Sequence, residues 1–432
     1  MKEILLRARK DPFAVVSPEE TLDRNLIAEN AGNLIFSTAA YKVLATAETR
    51  VAVDGFIADP GSADAINERY DAYVVPLANA FRISFEANLI RMTRLIRRLR
   101  IPVVVLGVGA QANVQNDPAR LRQIEGSVRD FAAAVLDRSP TIGVRGEFTA
   151  DYLNGLGFRD VDVIGCPSMF LRGEDLHVEK RRPAITTDAR LAINVSPYVK
   201  AMGPVVMHHV ERYPDLTYVA QDLATLERLL WGEAGQPPDP AEPLPIHLAH
   251  PLFRDGKVRF FIDPWPWFEH LATRDFSFGT RIHGNIAALI AGTPAFVLAH
   301  DSRTLELVRY HEIPYRLMRD IRPDTDAAEL FESADYGPLN RGHAARFATY
   351  LAFLDRHGLD HIHRTAPPDP DFDARMAATA FAPAVTGESR RAPRGLAERA
   401  RRGRYRLRRV LRASWVRRVR LTLTRARRAG PG

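Results

Sequence analysis

Residues 276–294 read FSFGTRIHGNIAALIAGTP, and this stretch carries the pattern that decides the fold. The apolar residues up to Phe278 predict a buried strand, which a turn at Gly279 connects to a helix over 282–291. A second strand is predicted immediately afterwards, over 295–298. A strand, a tight turn, a helix and another strand in succession form the βαβ unit of a parallel sheet.

The same alternation continues on both sides of this stretch. Apolar runs of strand length, separated by helical stretches, occur at 73–76, 101–106, 141–144, 161–164, 191–195, 216–219 and 258–262. Strands that are hydrophobic throughout predict parallel sheets covered by helices on both faces. Two such blocks in series predict an α/β protein with two Rossmann-like, doubly wound domains and a cleft between them.

Changes in composition divide the chain into four parts. A polar stretch over 174–187 separates the two αβ blocks, and a proline-containing stretch precedes an arginine-rich end. The predicted parts are an N-terminal domain over 1–173, a C-terminal domain over 188–364, a linker over 365–388 and a basic tail over 389–432. All thirteen histidines lie between His177 and His363, so a histidine-dependent reaction would draw on the second domain.

The turn after Gly279 places two candidate functional side chains at the start of a helix. Arg281 and His283 follow the carboxyl end of a strand, where open α/β sheets bind ligands. Unpaired backbone N–H groups and the helix dipole favour an anion there, and an arginine adds a two-pronged donor for phosphate or carboxylate. Histidine can bind an anion when protonated or act as an acid. A structural interpretation, in which His283 caps the helix and Arg281 pairs with a surface acid, stays open.

Other strand ends offer further candidates in the first block. Arg145 directly follows a predicted strand and is expected to point towards the cleft. Gly107 and Gly109 follow another strand, but the dinucleotide fingerprint would need a third glycine. Close approach of the backbone to a ligand is therefore the favoured reason for these glycines. Asn30 and Asn33 precede a helical run, and a helix cap at Asn33 is as well supported as a ligand contact.

The chain has a single cysteine, Cys166, which excludes an intrachain disulfide and fits a reducing compartment. No histidine is near it in sequence, so the favoured role is that of a small buried residue rather than of a nucleophile. The histidine spacings do not match a zinc site, and no metal is predicted. The N-terminus has no apolar signal segment, and no apolar run of about eighteen residues occurs. These features favour a cytoplasmic location.

The net charge of +8 comes entirely from the C-terminal end. Residues 389–432 contain seventeen arginines and one acidic residue, whereas the rest of the chain has 43 basic and 51 acidic residues. An acidic body argues against nucleic-acid binding over a broad face, because such binding neutralises phosphates. No specific nucleic acid is therefore expected as a partner.

Within this basic tail, apolar residues recur at every fourth position over 404–428, from Leu407 to Leu423, and include Trp415. This spacing predicts a basic amphipathic helix, which can lie in the interface of an anionic membrane. A membrane-surface partner would place the protein on the inner face of the membrane. A disordered basic tail, a nucleic-acid arm and a helix docked on the acidic body are the alternatives.

These blocks occur in the order in which they stand in the polysaccharide pyruvyl transferase family, which the chain resembles. The most specific block is Arg281-x-His283-Gly284, which is followed by Gly292-x-Pro294 and Asp301-x-Arg303. Shorter family elements are matched upstream by Asn30-x-Gly32-Asn33, Gly107-x-Gly109, Val144-Arg145 and Gly165-Cys166-Pro167. Asn33 stands where the family usually has aspartate, and the resemblance covers roughly residues 25–315.

The resemblance implies a GT-B-like arrangement of the two domains and transfer of the enolpyruvyl unit of phosphoenolpyruvate to sugar hydroxyls as a ketal. Phosphoenolpyruvate would be the donor substrate, and neither a metal nor a nucleotide cofactor is required. The acceptor would be a saccharide of a cell-envelope or exopolysaccharide precursor, which an enzyme at the membrane would meet in lipid-linked form. His283 and Arg281 are then the catalytic candidates. The substrate-binding candidates are Arg145, Gly107, Gly109, Asn30, Asn33, Thr280, Gly284 and Arg303.

Two other functions stay open. A nucleotide-sugar glycosyltransferase of GT-B type uses the same architecture and would need an acidic ribose ligand, for which Glu306 is the candidate. A non-catalytic scaffold of a polysaccharide-synthesis complex would need neither Arg281 nor His283.

Overall fold

The computed structural model describes residues 1–112, 118–232, 239, 241–364, 371–389, 395, 400, 402–403 and 405. The first sheet begins with the strands β1 (Lys2–Leu6), β2 (Thr49–Val53), β3 (Ala72–Pro76) and β4 (Val103–Leu106). These four strands are all parallel and lie in the order β2–β1–β3–β4. The parallel pair β5 (Ile142–Val144) and β6 (Val161–Val163) continues the sheet beyond β4. The link is a hydrogen bond of 3.1 Å from the Val108 N–H to the Gly143 carbonyl.

Six α-helices lie among these strands: α1 (Pro18–Arg24), α2 (Gly32–Leu44), α3 (Ala63–Arg69), α4 (Glu86–Ile96), α5 (Glu125–Leu136) and α6 (Glu147–Gly155). The strands β3 and β4 are buried at every position, as their uninterrupted apolar runs predict.

The second sheet has six strands: β7 (Leu191–Asn194), β8 (Leu216–Ala220), β9 (Val258–Phe260), β10 (Phe276–Gly279), β11 (Ala295–Ala299) and β12 (Tyr315–Leu317). All are parallel, and their order is β12–β11–β10–β7–β8–β9. The strands β8 and β9 extend the sheet from β7 in one direction. After β9 the chain returns to the other side of β7, where β10, β11 and β12 extend the sheet in the opposite direction. The carboxyl ends of β7 and β10 enclose the point where the strand order reverses, which is where such sheets bind ligands.

Nine further helices complete the described chain: α7 (Met202–Arg212), α8 (Leu223–Trp231), α9 (Pro251–Arg254), α10 (Pro264–Ala272), α11 (Ile282–Ile290), α12 (Ser302–His311), α13 (Ala327–Ser333), α14 (Gly337–Arg356) and α15 (Asp371–Ala378). The predicted α/β fold with two parallel, Rossmann-like sheets is confirmed, and the GT-B-like arrangement of the two domains stays a prediction. The predicted helix over 282–291 corresponds to α11, and eight consecutive residues within it, from His283 to Ile290, are buried.

The C-terminal part of the second block packs on the first sheet. Arg356, the last residue of α14, pairs with Asp162 of β6 at 2.6 Å, and Tyr350 of the same helix stacks on Phe170 with ring centroids 5.1 Å apart. Near the other edge of the sheet, Lys2 pairs with Asp360 at 2.7 Å. Residues 337–364 therefore connect the two sheets, although their sequence assigns them to the second domain.

Both stretches interpreted as connections are packed where the structure describes them. Leu176 and Val178, in the polar stretch 174–187, are buried in the core shared by the two sheets. Of the predicted linker over 365–388, the part from 371 onward buries Phe372 and Met376, and Val385 forms an antiparallel bridge with Phe260. The linker interpretation is wrong for this part, because proline content masked the few apolar residues that anchor it.

The predicted amphipathic helix over 404–428 lies outside the described residues, except for Tyr405. That residue is buried against Trp231, with ring centroids 5.2 Å apart. Among the residues that the structure describes, no helix is both long enough and apolar enough to cross a membrane.

Buried histidines make the stability of this fold sensitive to acid. Burial lowers the pKa of His209, His250 and His270 to about 4 and that of His283 to about 3. Below pH 6.5 these histidines bind protons in the unfolded chain but stay neutral in the folded chain. The free energy of unfolding therefore decreases as the pH falls from 6.5 towards 4. Burial raises the pKa of Asp263 to about 6 and that of Glu306 to about 7, which offsets part of this loss in the same range.

We therefore expect urea denaturation to give a smaller free energy of unfolding at pH 5 than at pH 7. Each histidine that is protonated only in the unfolded chain lowers the free energy of unfolding by up to about 1.4 kcal/mol for each unit by which the pH falls. His270 is half-buried, and its replacement by glutamine removes one of these titrating groups. The free energy of unfolding of this variant should therefore depend less on pH. An unfolding free energy that is equal at both pH values would contradict the assignment of neutral, buried histidines.

Candidate functional site

The turn between β10 and α11 is held by two buried asparagines. The Asn194 carbonyl, at the end of β7, accepts from the Thr280 N–H at 3.0 Å, and its side-chain oxygen accepts from the Arg281 N–H at 2.8 Å. Asn285 donates to the Gly279 carbonyl at 3.1 Å. Gly279 has a φ of 142°, a conformation that favours glycine. These contacts fix Arg281 at the position where the strand order reverses.

Arg281 occupies the N-cap position of α11, without a side-chain cap for the helix. Its Nε donates to the Val195 carbonyl at 3.3 Å, and it forms no ion pair with any carboxylate in the described ranges. The interpretation in which Arg281 pairs with a surface acid is therefore wrong, as is a helix cap at His283. An uncompensated guanidinium beside a helix N-terminus favours an anion.

Three more arginines approach this point from other elements, and their charges act on one another. Arg82 follows β3 and Arg145 follows β5, whereas Arg303 lies in the first turn of α12. Burial, followed by the charges of Arg303 and Arg145, lowers the pKa of Arg82 to about 10. The cluster of Arg82, Arg145, Arg281 and Arg303, called here the arginine cluster, therefore combines charges from both sheets.

Arg145 is buried, with 3% of its surface exposed. Its Nε lies 3.9 Å from Oε1 of Glu306, and burial lowers its pKa against the opposing effect of that carboxylate. Burial in turn raises the pKa of Glu306 to about 7. Glu306 therefore neutralises only part of the charge of Arg145 near neutral pH.

Glu306 also fits poorly as a ribose ligand, which was its role in the glycosyltransferase interpretation. Its carboxylate accepts from the Thr149 N–H at 3.2 Å and from the Thr149 hydroxyl at 2.9 Å. These bonds join α12 of the second domain to α6 of the first.

Arg303 is the best-paired member of the arginine cluster. Its Nε donates to Asp301 at 2.7 Å, and its Nη2 donates to the Tyr198 hydroxyl at 3.0 Å. Asp301 caps α12 by accepting from the Thr304 N–H at 3.0 Å. Across the described residues, the four arginines face two paired acids, Asp301 and Glu306, and the cluster keeps an excess of positive charge.

His283 lies among these arginines and is neutral. Burial, and then the charges of Arg145, Arg303 and Arg281, lowers its pKa to about 3. A Cβ added to Gly32, the first residue of α2, would lie 2.5 Å from the Cβ of His283. That glycine therefore lets the first domain approach the start of α11 closely. A neutral imidazole can donate one hydrogen bond but cannot serve as a cationic acid at neutral pH.

The predicted glycines mainly accommodate the protein itself. A Cβ at Gly109 would lie 2.3 Å from Nε of Arg145, and one at Gly107 would lie 2.9 Å from the Gly165 carbonyl. Arg145 and the backbone at Gly165 thus occupy the space beside these glycines that was predicted for a ligand. The Thr280 hydroxyl accepts from the Ser196 N–H at 2.8 Å and ties the turn to the end of β7.

The two predicted asparagines play different roles. The Asn30 side chain accepts from the Gly32 N–H at 2.8 Å, and its backbone forms a bridge with Asp222 of the second domain. The predicted cap at Asn33 is wrong, because α2 already begins at Gly32. Asn33 instead donates to the Ile27 and Ala28 carbonyls at 3.0 and 3.2 Å.

A cavity of about 100 Å³ lies beside the arginine cluster, on the side of the first domain. Asn33 and Arg82 line it together with aromatic side chains, which include Phe56 and Phe85. Arg7 lies over the Phe56 ring at 3.9 Å from the centroid. The cavity combines flat apolar surfaces with donors.

A buried amide beside Gly284 has no hydrogen-bond partner. Gln221 directly follows β8, is 1% exposed, and in the described part of the chain neither its Nε2 nor its Oε1 is bonded. Its Nε2 lies 2.6 Å from the place that a Cβ at Gly284 would take. Leaving such groups unpaired costs about 1–3 kcal/mol, so Gln221 is a candidate for contact with a polar ligand group.

Sequence patterns missed Arg82, Asn194 and Gln221. Asn194 ends β7 and Gln221 directly follows β8, so their position at a strand end was the available signal, whereas Arg82 lies in the loop after β3. In the described ranges, no group of three or more His, Cys, Asp or Glu side chains is arranged to hold a metal ion. The arrangement is suited to binding a small ligand with more than one negative group.

A family model described as polysaccharide pyruvyl transferase matches residues 30–302, which is more than half of the chain. No curated protein matches the chain in sequence.

Several solved structures are similar to this chain at low sequence identity. A UDP-GlcNAc 2-epimerase from Neisseria meningitidis bound to UDP-GlcNAc is 13% identical, with a TM-score of 0.43 over 82% of this chain and 100% of that one. A glycotransferase of kitacinnamycin is also 13% identical, with a TM-score of 0.38 over 83% and 99% of the two chains.

Proposed function

Because the chain belongs to the polysaccharide pyruvyl transferase family, we propose that it transfers the enolpyruvyl unit of phosphoenolpyruvate to saccharide hydroxyls as a ketal. The arginine cluster is the observation that carries this proposal. Phosphoenolpyruvate has a phosphate at one end and a carboxylate beside the reacting carbon, so a small site must supply several positive charges. Arginine is suited to both groups, because its planar donors match their oxygens in pairs.

The geometry suggests a division of roles within the cluster. Arg281, beside the N-terminus of α11, is the phosphate ligand in this proposal. Arg145 and Arg82 come from the first domain and would hold the carboxylate. Arg303 is already bonded to Asp301 and Tyr198, so it would act on the ligand mainly through the electrostatic attraction of its positive charge. A phosphoenolpyruvate molecule bound at this junction would contact residues of both domains.

The reaction requires a proton at the methylene carbon and two acceptor hydroxyls. Protonation of C3 turns the enol phosphate into an oxocarbenium-like centre at C2, which the first hydroxyl attacks. The bond from C2 to the phosphate oxygen then breaks, and the second hydroxyl closes the ketal. One hydroxyl proton replaces the proton given to C3, and the other leaves with phosphate. The arginines stabilise the charge on the leaving phosphate.

We propose that the saccharide acceptor approaches the cluster from the side of this cavity, which at about 100 Å³ can hold only part of a sugar ring. Phe56 and Phe85 supply apolar surface in its lining, and Asn33 and Arg82 supply polar groups. We propose an envelope or exopolysaccharide precursor as acceptor, since the family's reaction modifies polysaccharides.

The arginine-rich tail supports a further part of this proposal, namely a peripheral location on the inner face of the membrane. Its charge would attract anionic lipids at about 1 kcal/mol per arginine near the surface. Liposome co-sedimentation of the full chain and of a chain ending at Tyr405 tests this, because Tyr405 is anchored on Trp231 and belongs to the body. Equal binding of the two chains to anionic vesicles would argue against the membrane role.

Phosphate release is the direct test of the proposed reaction. We expect the purified protein to release phosphate from phosphoenolpyruvate only when a suitable saccharide or lipid-linked saccharide is present. The product should contain a pyruvate ketal, which mass spectrometry of the acceptor detects. Glycosyl transfer from a nucleotide sugar to the same acceptors, without use of phosphoenolpyruvate, would favour the glycosyltransferase interpretation instead.

A further inference from the structure

The single cysteine contacts the histidine of the candidate site. Sγ of Cys166 lies 3.7 Å from Nε2 of His283, within the range of a hydrogen bond to sulfur. Cys166 is 2% exposed and packs against Phe36 and Leu307. Its backbone N–H donates to Nε2 of His311 at 3.0 Å, which fixes the thiol in place. The two side chains are 117 positions apart in sequence, so no local pattern relates them.

Both partners of this contact are uncharged. Burial raises the pKa of the Cys166 thiol, against the opposing effect of Arg145, and burial lowers the pKa of His283 to about 3. The surroundings therefore disfavour the thiolate–imidazolium pair that a cysteine nucleophile would need. A neutral imidazole accepts through one nitrogen and donates through the other. With the thiol donating to Nε2, the His283 proton lies on Nδ1, which has no hydrogen-bond partner among the described residues.

We propose that Cys166 and His283 form a proton relay that delivers a proton to the methylene carbon of phosphoenolpyruvate. The inference rests on the proposed function. The Nδ1 proton of His283 forms the new bond to C3 while the thiol proton moves to Nε2. The imidazole thus remains neutral, and the negative charge appears on sulfur. A proton from the acceptor hydroxyl later returns along the same path and restores the thiol.

The surroundings of the sulfur stabilise the thiolate that this step creates. The positive charge of Arg145 favours the charged form of Cys166. The other titratable groups that face the pair are Arg281 and Arg303 beside His283, and Tyr350 and His311 beside Cys166. Burial lowers the pKa of His311 and raises that of Tyr350, so neither changes charge near neutral pH. The relay also explains how a site that keeps its histidine neutral can supply a proton.

Replacing Cys166 by serine tests the relay. Serine keeps the size and the hydrogen bond to Nε2, but its hydroxyl is far too weak an acid to supply the proton. We expect kcat to fall about 10²-fold or more, with the affinity for phosphoenolpyruvate unchanged in calorimetric titrations. Cys166→Ala should lose kcat to at least the same extent. The wild-type rate should decline at high pH as the thiol deprotonates, and this decline should be absent from the residual rate of Cys166→Ser.

The outcomes separate the relay from the proposed function. If the serine variant keeps the kcat of the wild type, or if it loses phosphoenolpyruvate affinity in parallel with kcat, the relay is overturned and Cys166 is structural. If wild-type protein neither binds phosphoenolpyruvate nor turns it over, the proposed function itself fails. Affinity for phosphoenolpyruvate also shows that the variant site is folded, so loss of kcat at full affinity supports the relay.

Discussion

Replacing Arg281 by alanine should lower kcat/KM for phosphoenolpyruvate by at least about 10²- to 10³-fold. The guanidinium lies at the N-cap of α11 and forms no ion pair with a described carboxylate. Its removal therefore leaves no buried acid without a partner, and the loss reports ligand binding and transition-state charge. Steady-state phosphate release with a productive acceptor measures the effect. Calorimetry should show weaker binding of phosphoenolpyruvate by about 10²-fold.

Arg309→Ala is the matched control for this variant. Arg309 lies on α12, the same helix as Arg303, but its side chain is exposed. Both variants lose one positive charge from the same domain. We expect wild-type kinetics from Arg309→Ala. Equal effects of the two substitutions would mean that Arg281 contributes only its net charge and is not a specific ligand.

Replacing Gly279 by alanine should destabilise the protein by roughly 4 kcal/mol or more, at the upper end of single-residue effects. Gly279 has a φ of 142°, and an added Cβ would lie 1.9 Å from the Asn194 carbonyl oxygen. The turn that carries Arg281 cannot accept that atom without moving β7 away from β10. We expect a low soluble yield and a large fall in Tm.

Gly155→Ala controls for the loss of a glycine as such. Gly155 ends α6, is exposed, and has no atom within 4 Å of an added Cβ. Alanine is better than glycine in a helix by about 1 kcal/mol, so this variant should be as stable as the wild type or slightly more so. A Tm for Gly279→Ala within about 2 °C of the wild type would show that the turn is not constrained as described.

The fold follows from local patterns to a large extent. Uninterrupted apolar strands such as β4, each followed by a turn and a helix, indicate parallel sheets, and the structure has two of them. The order of the strands does not follow from such patterns. The return from β9 to β10, which puts β10 beside β7, depends on how helices pack across the whole sheet. That step creates the position where Asn194 meets Arg281.

The candidate site could be predicted only in part for the same reason. Arg281, His283 and Arg145 stand at recognisable strand ends, and the structure brings them together. Arg82 belongs to a loop without a motif. The role proposed for Cys166 depends on its contact with His283, which is 117 positions away in sequence. Residues 371–389 resemble a linker in composition, yet two or three apolar side chains anchor them. Long-range packing decides such cases.

Binding of phosphoenolpyruvate by the arginine cluster is the step on which the proposed function depends. Calorimetric titration of the full-length protein with phosphoenolpyruvate and, separately, with UDP-GlcNAc tests it most directly, because no acceptor has to be known. We expect saturable binding of phosphoenolpyruvate that weakens in Arg281→Ala and persists in Arg309→Ala. Binding of the nucleotide sugar together with no detectable binding of phosphoenolpyruvate would contradict it.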